Sequence, residues 1–175
     1  MTYTKKEYTM ATAIVYASST GNTELISKMI AKELGNIQTF DLAQSGIEEI
    51  VKNDKIILGV STWGDGELQD DWKELWEDFK SIDFTNKTIA LFGLGDQEGY
   101  PDTFLDAMGL VYEHLVQTDA KVIGQWAITE EYFHDESLAI ENGSFVGLAL
   151  DEDTQDDLTE ERIVKWCDEI RNEIL

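Results

Sequence analysis

Apolar residues along this chain follow two alternating patterns. Short apolar runs typical of buried strands occur at five places: Ala11–Tyr16, Ile37–Phe40, Lys55–Val60, Thr88–Phe92 and Lys121–Ile123. Between and after these runs, apolar residues recur at spacings of three and four, which indicates helices with one buried face. The strongest such faces are Ile26, Met29, Ile30 and Leu34; Trp72, Leu75, Trp76 and Phe79; Phe104, Met108, Val111 and Leu115; and Ile163, Trp166, Cys167, Ile170 and Ile174, with a shorter helix predicted at Ile47–Val51. This alternation predicts an α/β fold, a three-layer α/β/α sandwich around a five-stranded parallel sheet.

The last strand of this pattern is interrupted. The apolar run that begins at Lys121 stops before Gly124, and an apolar strand resumes only at Phe145–Leu150. A loop of about 20 residues is unusual inside a compact domain and indicates either function or disorder. Because residues 125–143 include Trp126, Tyr132 and Phe133, we expect at least part of this loop to pack.

The acidic net charge of the chain limits the classes of molecule that it can bind. The chain of 175 residues carries 36 acidic and 13 basic side chains, a formal net charge of −23. Such a field repels nucleic acid and anionic membranes and favours proteins with basic docking surfaces. No apolar run reaches transmembrane length, and residues 1–10 lack the hydrophobic core of a signal peptide.

Length and cysteine content indicate the number of domains and the redox compartment. The length suits one domain, which we expect over residues 11–175, with residues 1–10 as a mobile tail. The one cysteine, Cys167, excludes an intrachain disulfide and fits a reducing compartment. We therefore expect a cytoplasmic monomer with no membrane insertion.

A hydroxyl-rich segment between the first strand and the first helix is suited to a phosphate. Backbone N–H groups at a helix start attract anions, hydroxyl and amide side chains add donors, and a glycine allows close approach. The segment is Ser18, Ser19, Thr20, Gly21, Asn22 and Thr23. An ordinary Ser/Thr helix cap is the alternative for this segment taken alone. It contains neither the lysine of a Walker A loop nor the three glycines of a Rossmann loop.

Two further segments each place one large aromatic residue in a loop rich in Gly and Asp. Trp63 stands before Gly64, Asp65 and Gly66, and Tyr100 ends the segment that begins with Gly95 and Asp96. Both follow strands at the edge of an α/β sheet where ligands bind, and two flat rings there can enclose a flavin. The alternative is that each aromatic folds back onto the core.

Four motifs together resemble the flavodoxins. They are Ser-x-Thr-Gly-Asn-Thr, Ser-Thr-Trp-Gly-Asp-Gly-Glu, Gly-x-Gly-Asp-Gln-x-Gly-Tyr, and residues 142–153, Asn-Gly-Ser-Phe-Val-Gly-Leu-Ala-Leu-Asp-Glu-Asp. The resemblance runs from about residue 11 to the C-terminus, and the interrupted fifth strand is similar to that of the long-chain group. It implies strand order 2-1-3-4-5, for which flavodoxin is the standard example. It also implies non-covalent flavin mononucleotide (FMN) and a low-potential one-electron carrier rather than an enzyme.

The resemblance further implies roles for individual residues. Trp63 would cover the inner face of the flavin ring and Tyr100 the outer face. The remaining contacts to the ribityl chain and the ring edge would come from Thr62, Gly95, Asp96, Thr103 and Asp153. The chain departs from the long-chain pattern at Thr103 and at Ser61, where many members have Asn and Pro.

Gly64 and the nearby acids bear on the redox potentials. A glycine lets its peptide carbonyl turn toward flavin N5 and stabilise the semiquinone, an effect of about 20–65 mV for one hydrogen bond. The alternative is that Gly64 is a turn residue only. Asp65, Glu67 and Asp96 would raise the cost of the anionic hydroquinone.

Other functions are less well supported by the residues. A flavodoxin-like NAD(P)H-dependent quinone or flavin reductase is the main alternative, but a ring at Tyr100 would cover the flavin face that such enzymes need open. His114 and His134 lack further ligands at metal spacing, and Asp151–Asp157 lacks the glycine and final glutamate of a calcium loop. We expect redox partners with basic surfaces, for example a ferredoxin-NADP reductase.

Overall fold

The computed structural model describes residues 11–175, so the tail predicted for residues 1–10 lies outside the described residues. The strands are β1 (Thr12–Tyr16), β2 (Gln38–Asp41), β3 (Lys55–Trp63), β4 (Glu67–Leu68), β5 (Thr88–Leu94), β6 (Lys121–Ile123), β7 (Trp126–Ala127), β8 (Ile140–Glu141), β9 (Ser144–Phe145) and β10 (Leu148–Leu150). The helices are α1 (Asn22–Glu33), α2 (Leu42–Ser45), α3 (Glu48–Lys52), α4 (Asp70–Glu74), α5 (Trp76–Lys80), α6 (Asp106–Leu115) and α7 (Thr159–Ile174), with a 3₁₀ turn at Asp156–Leu158.

The main sheet is parallel and runs in the order β2, β1, β3, β5 and then β10, with β6 also paired to β5. Only the short β4 is antiparallel, as a hairpin partner of β3. If the β6 and β10 segments are counted as one strand position, this is the predicted order 2-1-3-4-5. The α/β sandwich prediction is therefore confirmed.

The fifth strand position is shared by two separate segments. The segment β6 pairs with Thr88–Ala90 of β5, and β10 pairs with Phe92–Leu94 of the same strand. Between them the backbone at Gly147 passes Leu91 so closely that a Cβ on Gly147 would lie 2.2 Å from the Leu91 carbonyl oxygen. The interruption predicted from the sequence is confirmed.

The insertion, residues 124–147, contains a small antiparallel sheet in the order β7, β9, β8. Phe145 belongs to β9, so the strand predicted at Phe145–Leu150 is divided and its last part alone joins the main sheet. Phe145 packs edge-on against Tyr132 at 4.9 Å between ring centroids, and His134 stacks on Phe104 at 5.1 Å. Tyr132, His134 and Phe145 therefore pack next to the start of α6, whereas Phe133 is 51% exposed.

Two predicted helix limits were wrong. The face from Trp72 to Phe79 is split at Leu75, whose backbone (φ −96°, ψ 8°) leaves the helical range and separates α4 from α5. Phe104 lies outside α6, because Leu105 has a left-handed backbone (φ 62°) immediately before Asp106. Within residues 11–175, no helix combines the length and the apolar character needed to cross a bilayer.

Candidate ligand-binding site

A pocket of about 310 Å³ opens at the carboxyl ends of the central strands, the edge of a parallel sheet where ligands bind. The lining comes from the three predicted segments and from the loop after β10: Ser19, Thr20, Asn22, Thr23, Ser61, Thr62, Trp63, Gly64, Leu94, Gly95, Asp96, Tyr100, Glu152 and Asp153. Segments far apart in the sequence thus meet around one cavity.

One end of the pocket is formed by the start of α1. The helix begins after Gly21 (φ 96°), which caps it without a side chain, and the first N–H groups of a helix have no intrahelical acceptor. Ser19, Thr20 and Thr23 add hydroxyls to these N–H groups. Ser18 has a different position: its Oγ accepts a hydrogen bond from Gly21 N at 3.0 Å, which closes the turn behind the lining.

The opposite end carries the two aromatic side chains. Trp63 is the last residue of β3 rather than a loop residue beyond it, and it is 40% exposed. Its Nε1 donates to Ser61 Oγ at 3.0 Å. Tyr100 is 45% exposed, and its N–H donates to the Asp96 carbonyl oxygen at 3.0 Å. Neither ring folds back into the core.

The tight loop between β3 and β4 adds Gly64 to the lining and supports this end of the pocket. Gly64 (φ 49°) and Gly66 (φ 83°) both have backbones that favour glycine. Among residues 11–175, nothing lies within 4 Å of where a Cβ on Gly64 would be, whereas one on Gly66 would lie 2.9 Å from Asp106 Oδ2 and 3.3 Å from Thr103 Cβ. Of the predicted site residues, Ser18, Gly21, Asp65, Gly66 and Thr103 therefore lie next to the lining but not in it.

Carboxylates gather at one side of the pocket. Asp96 Oδ1 accepts from the N–H groups of Glu98 and Gly99 at 3.0 and 2.8 Å, which fixes the turn that leads to Tyr100. Burial raises the pKa of Asp153, and the nearby Asp96 and Asp151 raise it further. Burial also raises the pKa of Glu152. Negative charge is therefore costly here, and each further anion would add to the cost.

A buried polar network holds this side together. Asp151 is fully buried, and its Oδ2 accepts from Gln97 N at 3.0 Å and from Gln97 Nε2 at 3.1 Å. Its Oδ1 accepts from the N–H groups of Asp153 and Thr154 at 3.1 and 2.9 Å. Gln97 Oε1 in turn accepts from Phe133 N at 2.8 Å. The insertion thus braces the loop that carries Tyr100.

Sequence reasoning missed three residues of this region. Leu94 and Glu152 line the pocket, and both adjoin residues that were predicted. The third, Gln69, donates from Nε2 to Ser19 Oγ at 3.1 Å across a sequence separation of 50 residues. Leu94 and Glu152 could have been found as neighbours of motif residues, but no local pattern in the sequence indicates Gln69.

The donor set defines what the pocket can hold. Within residues 11–175, none of its lining residues is Lys or Arg, so an anion at the α1 end would meet only neutral hydroxyl, amide and N–H donors. The other end offers two exposed rings for a flat apolar group. The lining therefore fits an elongated molecule with one phosphate and one planar ring system.

Comparisons with known proteins give a consistent result. The family model described as Flavodoxin matches residues 14–166. Among curated proteins, "Flavodoxin" of Picosynechococcus sp. is 44% identical and covers 90% of this chain and 94% of its own length. "Flavodoxin 1" of Escherichia coli is 41% identical and covers 93% of this chain and 94% of its own length. Among solved structures, the Fusobacterium nucleatum flavodoxin bound to flavin mononucleotide has a TM-score of 0.88 at 35% identity, covering 94% of this chain and 99% of that one.

Proposed function

Since this chain belongs to the flavodoxin family, we propose that the pocket at the carboxyl ends of β1, β3, β5 and β10 is its FMN site. The protein is an electron carrier that uses FMN, and it is not an enzyme. The observation that carries the assignment is the polarity of the pocket, with neutral hydrogen-bond donors at one end and two exposed aromatic rings at the other.

We assign the phosphate to the α1 end. Ser19, Thr20, Asn22 and Thr23 would hold it together with the free N–H groups of the helix. Ser18 and Gly21 support this end by closing the turn. Because none of the lining residues within 11–175 is Lys or Arg, binding of the phosphate would depend on how many donors point at it, which makes the orientation of each hydroxyl important.

We assign the flavin ring to the space between Trp63 and Tyr100, with Thr62, Gly95, Asp96 and Asp153 along the rest of the molecule. The residues just outside the lining, Asp65, Gly66 and Thr103, would position the loop around the ring. Bound FMN supplies one-electron chemistry. The protein's part is to enclose the ring, exclude water and set the electrostatic field around it.

Two features of this chain would set the potentials. The left-handed backbone at Gly64 (φ 49°) costs a glycine little, so the adjoining peptide would be able to turn without a side-chain clash. The carboxylates of Asp96, Glu152 and Asp153 place negative charge along one side of the site, which opposes the arrival of a further electron. Both effects favour a low-potential carrier.

An NAD(P)H-dependent quinone or flavin reductase is not favoured as an alternative. The curated relatives are named flavodoxins, and an exposed ring at Tyr100 stands where a second substrate would have to stack. Rapid reduction of bound FMN by NADPH without another protein would support the reductase hypothesis instead.

Electron carriers of this kind act on redox proteins, and we propose partners with basic docking surfaces, such as a ferredoxin-NADP reductase. The exposed acids Asp65, Asp70, Glu98 and Asp102 lie on segments near the pocket, and the net charge of −23 would steer a basic partner toward them. Glu67 is already paired with Lys73 at 2.5 Å, so it contributes less. The charge and the one cysteine suit a cytoplasmic monomer.

The test is the affinity for FMN against that for riboflavin, which lacks the phosphate. We expect the protein to purify yellow, to bind one FMN and to prefer FMN to riboflavin by at least about a hundredfold, since several charge-assisted hydrogen bonds are lost with the phosphate. Equal dissociation constants would contradict the assignment of the α1 end.

A further inference from the structure

Gln69 occupies a buried position between the hydroxyl-rich loop and the start of α4. It is 3% exposed, and both ends of its amide are used. Its Oε1 accepts from Asp71 N at 2.8 Å and from Trp72 N at 3.3 Å, which caps α4. Its Nε2 donates to Ser19 Oγ at 3.1 Å and to Asp71 Oδ2 at 2.8 Å.

The orientation of this amide has only one solution. Backbone N–H groups can only donate, so the atom that faces Asp71 N and Trp72 N must be the amide oxygen. The nitrogen then faces Ser19, and its two hydrogens go to the two acceptors within reach. A side-chain amide carries no lone pair suited to accepting on its nitrogen, so Ser19 cannot donate to Gln69.

This constrains the hydroxyl of Ser19. Its oxygen accepts from Gln69, and its own hydrogen must be donated elsewhere. Within residues 11–175 the Ser19 hydroxyl makes no other hydrogen bond, and Ser19 lines the pocket. Ser19 is exposed, so this hydrogen is available to an acceptor on a bound ligand, and an anion with several lone pairs would use it best.

We propose that Gln69 is a positioning residue that fixes Ser19 as a hydrogen-bond donor toward the pocket and so contributes to selectivity for the phosphate-bearing ligand. The inference rests on the proposed function, because it requires the phosphate to lie at the α1 end. Gln69 itself does not line the pocket, and its effect passes through one hydroxyl.

The key variant exchanges the amide and the carboxylate between positions 69 and 71, so the net charge is unchanged. In Gln69→Glu/Asp71→Asn, the new carboxylate still accepts from the N–H groups of residues 71 and 72, so the cap of α4 is retained. The new amide at position 71 can donate to that carboxylate. Ser19 alone loses its donor, and its hydroxyl is now drawn to donate to the carboxylate instead of to the ligand.

Dissociation constants for FMN and riboflavin are measured by flavin fluorescence for the full-length protein, for this double variant, for Ser19→Ala and for the triple combination. Asp71→Asn alone is the control, since it leaves the Gln69–Ser19 bond in place. We expect Ser19→Ala and the double variant each to weaken FMN about tenfold, the triple variant to be no weaker, and riboflavin affinity to stay within about twofold throughout.

Three results would overturn the inference. The first is a double variant that keeps the parent ratio of FMN to riboflavin affinity. The second is a triple variant whose fold-loss of FMN affinity equals the fold-loss in Ser19→Ala multiplied by that in the double variant. The third is an equal loss for both ligands with a lowered Tm, which would make Gln69 a helix cap only. If the unsubstituted protein itself fails to distinguish FMN from riboflavin, the phosphate assignment falls, and that outcome is visible before any variant is examined.

Discussion

The indole nitrogen of Trp63 donates a hydrogen bond to the hydroxyl of Ser61 at 3.0 Å. The two residues stand two positions apart on β3, so their side chains leave the same side of the strand. Ser61 is buried and Trp63 is 40% exposed, so the bond joins an exposed ring to a buried hydroxyl. Many long-chain flavodoxins resemble this chain but have proline at position 61, and proline offers no such acceptor. The hydroxyl of Ser61 therefore gives this chain a way to orient Trp63 that the resemblance alone did not indicate.

We expect Ser61→Ala to weaken FMN and riboflavin alike by about two- to tenfold, because the lost hydrogen bond orients the ring wall and not the phosphate end. Ser61→Thr keeps the hydroxyl and is the matched control. Flavin titration of the three proteins provides the measurement. A loss confined to FMN would show that position 61 acts on the phosphate end instead.

The backbone at Gly64 leads to a prediction about potential. Gly64→Ala would force a side chain into the left-handed region at a cost of about 1–2 kcal/mol, although the Cβ itself would meet no neighbour in the part of the chain that the structure describes. We expect the first one-electron potential of the bound flavin to fall by tens of millivolts, because the peptide can no longer turn freely toward the ring.

Gly143→Ala is the control for that experiment. Gly143 has φ 79°, and no atom of the described residues lies within 4 Å of where its Cβ would be, so the strain is similar, but the residue lies in the insertion and does not line the pocket. Spectroelectrochemistry should show an unchanged potential for this variant. Equal shifts in both variants, or none at Gly64, would mean that Gly64 serves the turn alone.

Removing the charge of Asp151 should destabilise the fold. Both of its carboxylate oxygens accept N–H donors, so the amide of Asp151→Asn would direct hydrogens at N–H groups in a fully buried place. We expect a loss of about 3 kcal/mol in the free energy of unfolding, measured by urea denaturation of the flavin-free protein. Asp157→Asn, an exposed site in the same acidic segment, should change little. Similar midpoints for both variants would argue against the network.

The partly buried hydroxyl of Tyr132 should make the free energy of unfolding depend on pH in the alkaline range. Burial raises its pKa from 10.0 to about 12, and its hydroxyl donates to the Ala149 carbonyl oxygen at 2.7 Å. The folded state therefore keeps a proton that the unfolded chain loses above pH 10, so stability is complete below pH 10 and falls as the pH rises toward 12. The shift corresponds to about 2–3 kcal/mol.

Tyr132→Phe lacks this titrating group. Although this variant should be less stable at neutral pH, because Trp126 Nε1 and the Ala149 carbonyl lose their partner, its stability should decline less between pH 10 and 12. Urea unfolding at several alkaline pH values compares the two proteins. Parallel declines would assign the pH dependence to other groups.

Electron transfer to a basic partner should depend on salt and on particular acids. With a ferredoxin-NADP reductase in stopped-flow, we expect association to slow as ionic strength rises from low to moderate values, because screening weakens the steering. Asp70→Asn should slow it more than Glu67→Gln, since Lys73 already neutralises Glu67. Glu169→Gln on α7 is the distant control. Rates that do not change with salt would place recognition in apolar contacts near the flavin edge.

The sequence predicted those features that depend on neighbours along the chain. The alternation of strands and helices, the interrupted strand and the segments around Trp63 and Tyr100 all leave a local pattern. The break at Leu75 does not, because the apolar spacing of Trp72, Leu75 and Phe79 continues through it. Nor does the bond from Gln69 to Ser19, which depends on how two distant segments meet in the fold.

The insertion leaves and re-enters the sheet at nearly the same place. Ile123 pairs with Ala90 and Leu148 pairs with Phe92, so the two ends lie beside positions about 7 Å apart on one strand. A segment whose ends are this close can change in length with little cost in chain entropy and without moving the strands on either side. The exposed parts of the insertion can therefore vary in length and present a different surface next to Tyr100, provided that Phe133 N and the Tyr132 hydroxyl keep their bonds to Gln97 and to the Ala149 carbonyl oxygen and Phe145 stays in the core.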